Sequence, residues 1–283
     1  MLLGGFIQPG FGVERLKQGK TQDSLVWFNR GIEFLSQGRL EKAIAAFQKA
    51  TEIDPKLASA HYNLGLALRQ VNQLQAAADA FYQATIANPK FALAYANLGA
   101  ALLEGNNFRQ ARDYLEKAIE LEPKLAIAHY NLGLVWYKQG NWQRAIDSFQ
   151  QAIKSNPSVA EPVYHLGLVY QQQGKLESAK DAFQRAINIK PNYAEAHYNL
   201  GVVLFEQDNL SAALIAFQKS AAANSNYANA YYGAGLVLLR LGEYQNAHKV
   251  LKSALSLYQA QNNTLWANKT EILLQQAGKG TGD

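Results

Sequence analysis

Prolines recur every 34 residues, at Pro55, Pro89, Pro123, Pro157 and Pro191, and this period constrains the fold more than any other feature of the chain. Glycines keep the same step at Gly31, Gly65, Gly99, Gly133, Gly167, Gly201 and Gly235. Ala43, Ala77, Ala111, Ala145, Ala179, Ala213 and Ala247 form a third column, and Phe47, Phe81, Leu115, Phe149, Phe183, Phe217 and Leu251 a fourth. Four columns sharing one register over seven copies are no accident. Such a chain stacks copies of one supersecondary unit in place of closing a single core. With position 1 at Ser24, the copies are 24–57, 58–91, 92–125, 126–159, 160–193, 194–227 and 228–261, or 238 of the 283 residues.

Each copy reads as two helices. Positions 4, 7, 8 and 11 fit one face of a first helix of about 14 residues. Position 15 is Gly38, Asn72, Asn106, Gly140, Gly174, Asp208 and Gly242, residue types that best tolerate a left-handed backbone, which predicts the turn. A second helix carries small or apolar residues at 17, 20, 24, 27 and 28, and proline at position 32 stops it. Small residues at positions 8 and 20 let the two helices approach closely, with the large residue at position 24 filling the space between them. Copy six departs from the pattern with Ser225 for proline and Ser220 for alanine. Copy seven has Gln259 for proline, and its helix is expected to run on.

This pattern resembles the tetratricopeptide repeat, and the copy HYNLGLVWYKQGNWQRAIDSFQQAIKSNP (129–157) lies very close to that family's consensus. The resemblance implies an all-α, right-handed superhelical solenoid of seven antiparallel helix pairs. Residues 262–277 read as a C-terminal capping amphipathic helix, with Leu265, Trp266, Ile272 and Leu273 on one side and Asn or Thr capping its start. Residues 278–283 are expected to be a disordered tail. Residues 1–23 form an N-terminal segment, partly helical or a degenerate half-repeat, since the QGK of 18–20 echoes the QGR of 37–39; residues 1–11 carry no assignment.

Composition closes off several kinds of chemistry. Cysteine is absent, which excludes disulfides, thiolate metal sites and a thiol nucleophile. The formal charge of +5 comes with no basic block, so nucleic acid is not an expected partner. No run approaches 18 apolar residues, so no integral membrane segment is expected. The opening MLLGGFIQPG is a poor signal peptide, and the expectation is a cytoplasmic protein. His61, His129 and His197 stand at position 4 of three different copies and read as helix-packing histidines; Trp27 and Trp142, at positions 4 and 17, also stand at packing positions. No metal-binding, nucleotide-binding or catalytic motif is present. Asn262-Asn263-Thr264 and Asn268-Lys269-Thr270 match the glycosylation pattern, which is short enough to arise by chance. No catalytic residue, cofactor or metal is expected, and the chain reads as a non-enzyme.

In tetratricopeptide superhelices positions 2, 6, 9 and 13 of the first helix line a concave groove. Position 6 is Asn29, Asn63, Asn97, Asn131, His165, Asn199 and Gly233. Asparagine is a mediocre helix-interior residue, so propensity does not explain the column. Its amide offers donor and acceptor, as a peptide backbone does. The column resembles the asparagine ladder in the repeat domain of protein O-GlcNAc transferases, whose catalytic domain has no counterpart here. The alternative is a bond to a neighbouring helix. Position 9 is apolar throughout: Ile32, Leu66, Ala100, Leu134, Leu168, Val202 and Leu236. Position 2 changes from Leu25, Leu93 and Ile127 to Glu161, Glu195 and Asn229, predicting a groove apolar early and more acidic around copies five and six. Position 5 (Phe28, Tyr62, Ala96, Tyr130, Tyr164, Tyr198, Tyr232) should pack on the adjacent repeat. Positions 2, 5 and 6 carry no Lys or Arg, so the carboxylate clamp of chaperone cofactors is not expected.

The sequence thus predicts a protein–protein interaction scaffold that holds an extended peptide segment in its groove. Asn29, Asn63, Asn97, Asn131 and Asn199 would meet the peptide backbone, and Leu66, Leu134, Leu168 and Val202 its apolar side chains. Two other readings stay open: an assembly or maturation factor docking a folded or membrane-associated partner on the convex face, and a repeat accessory of a separate transferase.

Overall fold

The computed structural model describes residues 20–281, with side chains from 22 to 280; the expectations for residues 1–19 and 282–283 lie outside that range. Among the described residues every regular element is an α-helix. The chain divides into two compact units, Met1–Ser155 and Asn156–Asp283. Unit one holds α1 (Lys20–Ser36), α2 (Leu40–Ile53), α3 (Ala58–Gln70), α4 (Leu74–Ala87), α5 (Ala92–Glu104), α6 (Phe108–Leu121), α7 (Ala126–Lys138) and α8 (Trp142–Ser155). Unit two holds α9 (Ala160–Gln172), α10 (Leu176–Ile189), α11 (Ala194–Glu206), α12 (Leu210–Ala223), α13 (Ala228–Arg240), α14 (Tyr244–Ala260) and α15 (Thr264–Thr281). Each unit is a solenoid stack of antiparallel helix pairs, in which every helix packs on its chain neighbours.

The glycine and aromatic columns meet inside each pair. A methyl added to Gly133 would stand 2.5 Å from Phe149, and one on Gly65 2.6 Å from Phe81, closer than side chains approach. The missing side chain is therefore what lets Phe149 and Phe81 bury completely between their helices. Full burial of such a ring contributes roughly 1.5–3 kcal/mol.

The first helix of each copy ends at position 15 in the left-handed region, from φ 58° at Asp208 to φ 74° at Gly242. At the first such turn Gly38 N–H donates to the Leu35 carbonyl (3.0 Å) and Arg39 N–H to the Phe34 carbonyl (2.8 Å), so the last carbonyls of α1 are satisfied. Second helices end on an extended residue before proline, such as Asp54 at φ −130°, ψ 92°. Asn224 adopts the same conformation (φ −145°, ψ 99°) although Ser225 follows it. Its side-chain oxygen accepts the Asn226 N–H at 3.0 Å, an Asx turn that holds the stop without proline. In copy seven neither device is present, and α14 continues to Ala260.

Two expectations at the C-terminus need correction. First, α15 runs to Thr281, past the end placed at residue 277, because Gly280 leaves room for the Tyr244 ring against the helix. Second, its inner face is Trp266, Ala267, Leu273, Leu274 and Ala277, packed on Leu251, Ala254 and Tyr258 of α14. Leu265 and Ile272, grouped with Trp266 and Leu273 from sequence, are 62% and 57% exposed. They lie seven residues apart, and so share a direction one residue, about 100°, off that face.

Candidate binding face of the first helices

In unit one, α3, α5 and α7 carry the position-6 asparagines on neighbouring turns. Asn63 donates Nδ2–H to the Ser59 carbonyl at 2.8 Å, and Asn97 donates to the Leu93 carbonyl at 2.9 Å. Each bond reaches back four residues along its own helix, as short polar side chains do when they compete with the backbone. Asn97 gives its second amide hydrogen to the Tyr62 hydroxyl of the preceding copy, at 3.2 Å. In unit two, Asn199 repeats both bonds, to the Glu195 carbonyl (2.9 Å) and the Tyr164 hydroxyl (3.0 Å), and His165 Nδ1 bonds the Glu161 carbonyl (2.9 Å). Asn131 is 6% exposed, and its Nδ2 is buried with no hydrogen-bond partner. One copy back Ala96 occupies the position of a tyrosine, so the hydroxyl acceptor that Tyr62 gives Asn97 is missing here. Gly233 ends the column, since a side chain there would meet the Phe217 ring at 2.6 Å.

The amide donors of Asn97 and Asn199 are thus spent inside the protein, and what they can turn outward is Oδ1. The donor-and-acceptor amide expected from sequence becomes an acceptor only. The tyrosines supply the opposite polarity. Tyr62 packs its ring on Phe91 at 4.9 Å and Phe81 at 5.8 Å; Tyr164 does the same on Tyr193 and Phe183 at 5.0 and 5.8 Å. Burial pushes the Tyr62 and Tyr198 phenols above their ordinary range, and that of Tyr227 up to about 12. They stay neutral at physiological pH, and Tyr62, accepting from Asn97, keeps its O–H to donate.

Between the asparagines, Ile32, Leu66 and Leu134 of unit one and Leu168, Val202 and Leu236 of unit two are half-buried, while Ala100 is closed over at 3% exposure. The acidic shift at position 2 is muted: Glu161 faces Lys190 at 3.6 Å, and Asn229 accepts the Tyr258 hydroxyl at 2.6 Å. Asn29 is exposed on α1.

Sequence reasoning missed an ion pair at the end of this face in unit one. Arg69 of α3 grips Glu104 of α5 through Nε at 3.1 Å and through Nη2, with both side chains about three-quarters buried. Its signal was available. Arg69–Glu104, Tyr62–Asn97 and Tyr164–Asn199 all span 35 residues, one more than the repeat, which is the offset at which adjacent first helices touch.

The remaining candidates have structural roles. His61, His129 and His197 each place Nε2 at 2.9–3.0 Å from the carbonyl of the proline six residues earlier. Among the described residues no group of His, Asp and Glu is arranged to hold a metal. No helix among them is long and apolar enough to cross a membrane. Thr270, within a glycosylation-like triplet, is fully buried and bonds the Trp266 carbonyl at 2.7 Å, while Asn263 of the other triplet caps α15 through the Trp266 N–H.

Stacked helix pairs with glycine-on-aromatic contacts and left-handed turns at one repeat position define a helical-repeat solenoid. Residues 8–234 match the family model described as the cilia and flagella-associated protein 70 C-terminal domain, and residues 228–261 a tetratricopeptide repeat model. The chain belongs to that tetratricopeptide repeat family. No curated protein matches it significantly. Among solved structures it is similar to the APC/C hetero-tetramer Cut9–Hcn1 (22% identity, TM-score 0.67), covering 77% of this chain and 43% of that one. YrrB, described as a TPR protein with an unusual peptide-binding site, is 27% identical with TM-score 0.54, over 68% of this chain and 99% of that one. PilF of Pseudomonas aeruginosa is 18% identical with TM-score 0.65, over 75% and 97%. The chain spans less than half the length of the Cut9–Hcn1 chain it matches.

Proposed function

We propose that the protein is a non-enzymatic interaction scaffold whose first helices bind an extended segment of a partner protein. The observation that carries this reading is the makeup of the face. Half-buried apolar residues at position 9 alternate with amide oxygens at position 6 and phenol hydroxyls at position 5, all set on rigid helices. An extended peptide offers a complementary sequence of N–H, C=O and apolar side chains. The peptide-binding site named for YrrB, which is 27% identical to this chain, supports the same direction. Each backbone bond contributes about 0.5–1.5 kcal/mol net, and ordering the peptide offsets much of the sum, so affinity should be about micromolar.

The asparagines are poor first probes, because truncating them also removes an internal bond. Leu66→Glu and Leu134→Glu put charge on the face without touching the glycine–aromatic contacts. In a fluorescence-anisotropy screen against an arrayed peptide library, ligands of the wild-type chain should lose at least about tenfold in affinity for either variant, with circular dichroism unchanged. Undiminished binding by a folded double variant would remove the face as the binding surface.

A further inference from the structure

Unit two carries an open hollow of about 520 Å³, away from the position-6 and position-9 columns. It lies where the α12–α13 loop and the first turn of α13 meet α14, and its polar lining is Ser225, Tyr231, Lys249, Lys252, Ser253 and Ser256. Each of these side chains offers at least one hydrogen-bond donor, and none is a carboxylate. Leu257 adds an apolar wall.

The surroundings are equally one-sided. From Asn209 to Thr270 the only acidic residue is Glu243, against Lys219, Arg240, Lys249, Lys252 and Lys269. Net charge taken copy by copy hides this, because Glu195, Glu206 and Asp208 cluster at the start of copy six. On α2 and α6, Lys49 and Lys117 are answered by Glu52 and Glu120 one turn on (both 2.9 Å). Neither Lys249 nor Lys252 has an ion-pair partner among the described residues. Position 22, aspartate in four successive copies (Asp79, Asp113, Asp147, Asp181), is Lys249 in copy seven. Lysines three residues apart on one helix repel each other, and a shared anion removes that repulsion. Ser225, standing where five copies have proline, brings an N–H and an O–H that proline lacks.

We propose that this hollow is a binding site for a phosphomonoester. The phosphoryl group sits between Lys249 and Lys252, Ser225 and Ser256 donate hydroxyls to its oxygens, and Tyr231 and Leu257 contact the body that carries it. The hollow is open and has more room than a bare phosphate fills, which favours a phosphate borne on a larger group. The site is independent of the peptide-binding reading of the first helices, and neither falls with the other.

The test titrates the full chain with inorganic phosphate, with the blocked tripeptide Gly-phosphoserine-Gly and with its unphosphorylated form. Amide ¹H–¹⁵N shifts are followed at constant ionic strength set by sodium chloride, since exposed charges respond to salt alone. Saturable shifts confined to residues 225–231 and 249–257 are expected, with a dissociation constant of about 1 mM or below for the phosphopeptide. Affinity should weaken on the order of tenfold in Lys249→Gln/Lys252→Gln and stay unchanged in Lys117→Gln. A phosphopeptide binding more tightly than inorganic phosphate upholds the site with a phosphorylated protein segment as its source; equal binding would overturn the phosphomonoester reading, since Tyr231 and Leu257 would then contact no carrier. Linear or dispersed shifts, equal binding of the unphosphorylated tripeptide, or an unaffected double variant would each overturn the proposal.

Discussion

Asn97 and Asn131 occupy the same repeat position, yet one has both amide hydrogens bonded while the other has a buried nitrogen without a partner. One of those hydrogens goes to Tyr62, one copy earlier, whereas Ala96, one copy before Asn131, offers no such acceptor. A buried amide that bonds is worth about 0.5–1.5 kcal/mol, whereas an unpaired one costs about 1–3 kcal/mol. Leucine has nearly the same shape. Asn131→Leu should therefore raise the urea midpoint of unfolding, and Asn97→Leu should lower it by stranding the Tyr62 hydroxyl. Equal shifts in one direction would mean that the Ala96 gap has no energetic consequence. His61 gives a pH-dependent counterpart. Burial outweighs its bond to the Pro55 carbonyl and the nearby Asp54 charge, and lowers its pKa below 6.5. A histidine held neutral in the folded state binds fewer protons than in the unfolded one, so its contribution falls as pH drops below about 6.5. His61→Gln keeps a donor for Pro55 without titrating. Denaturation at pH 7 and pH 5 should show a smaller loss of stability for this variant than for wild type.

At the scale of the helix, the end of α12 separates two ways of stopping. Position 31 is extended before Pro89 and before Ser225 alike, but only in the first case does proline enforce it. Asn224→Ala should then destabilise by about 0.5–1.5 kcal/mol through loss of the Asx bond to Asn226. Asn88→Ala, with Pro89 behind it, should cost less even though it loses the equivalent bond to Lys90. Calorimetric melting temperatures of the two variants check the order. Such details show which parts of the element were legible in the sequence. The left-handed turns were, because so few residue types accept φ near +60°, and Gly38, Asn72 and Asp208 advertise it. The glycine–aromatic contact was legible too, since Gly133 and Phe149 recur at fixed spacing. The inner face of α15 was not, because Leu265 and Ile272 are as apolar as Leu273, and only packing on Tyr258 and Leu251 distinguishes them. On the binding face the asparagine column could be seen, but the fate of its donors could not. Single-copy alignment compares residues 34 apart, and the partners Tyr62 and Asn97 stand at 35.

At the scale of the molecule, what matters is how far the effect of one substitution travels. Within unit one, packing joins helices adjacent in the chain and first helices of adjacent copies, such as α5 and α7. Stability in such a stack is a sum of local terms and nearest-neighbour interfaces. Phe47 is fully buried in copy one, against Gly31 and beside the Phe28 ring at 5.8 Å. Phe47→Ala leaves a cavity costing about 3–5 kcal/mol. Among the described residues this pair packs onward mainly through α2 on α3, so α1 and α2 should open while the rest of the unit stays folded. Native-state hydrogen exchange reads this directly, because amides report the opening of their own cooperative unit. Protection should collapse in α1 and α2, fall partly in α3 and remain at the wild-type level in α7 and α8. Phe149→Ala, in copy four, should strip protection from α7 and α8 and spare α1 and α2. Were unit one a single cooperative core, both variants would lower protection in all of its helices by the same free energy, and the nearest-neighbour description would fail.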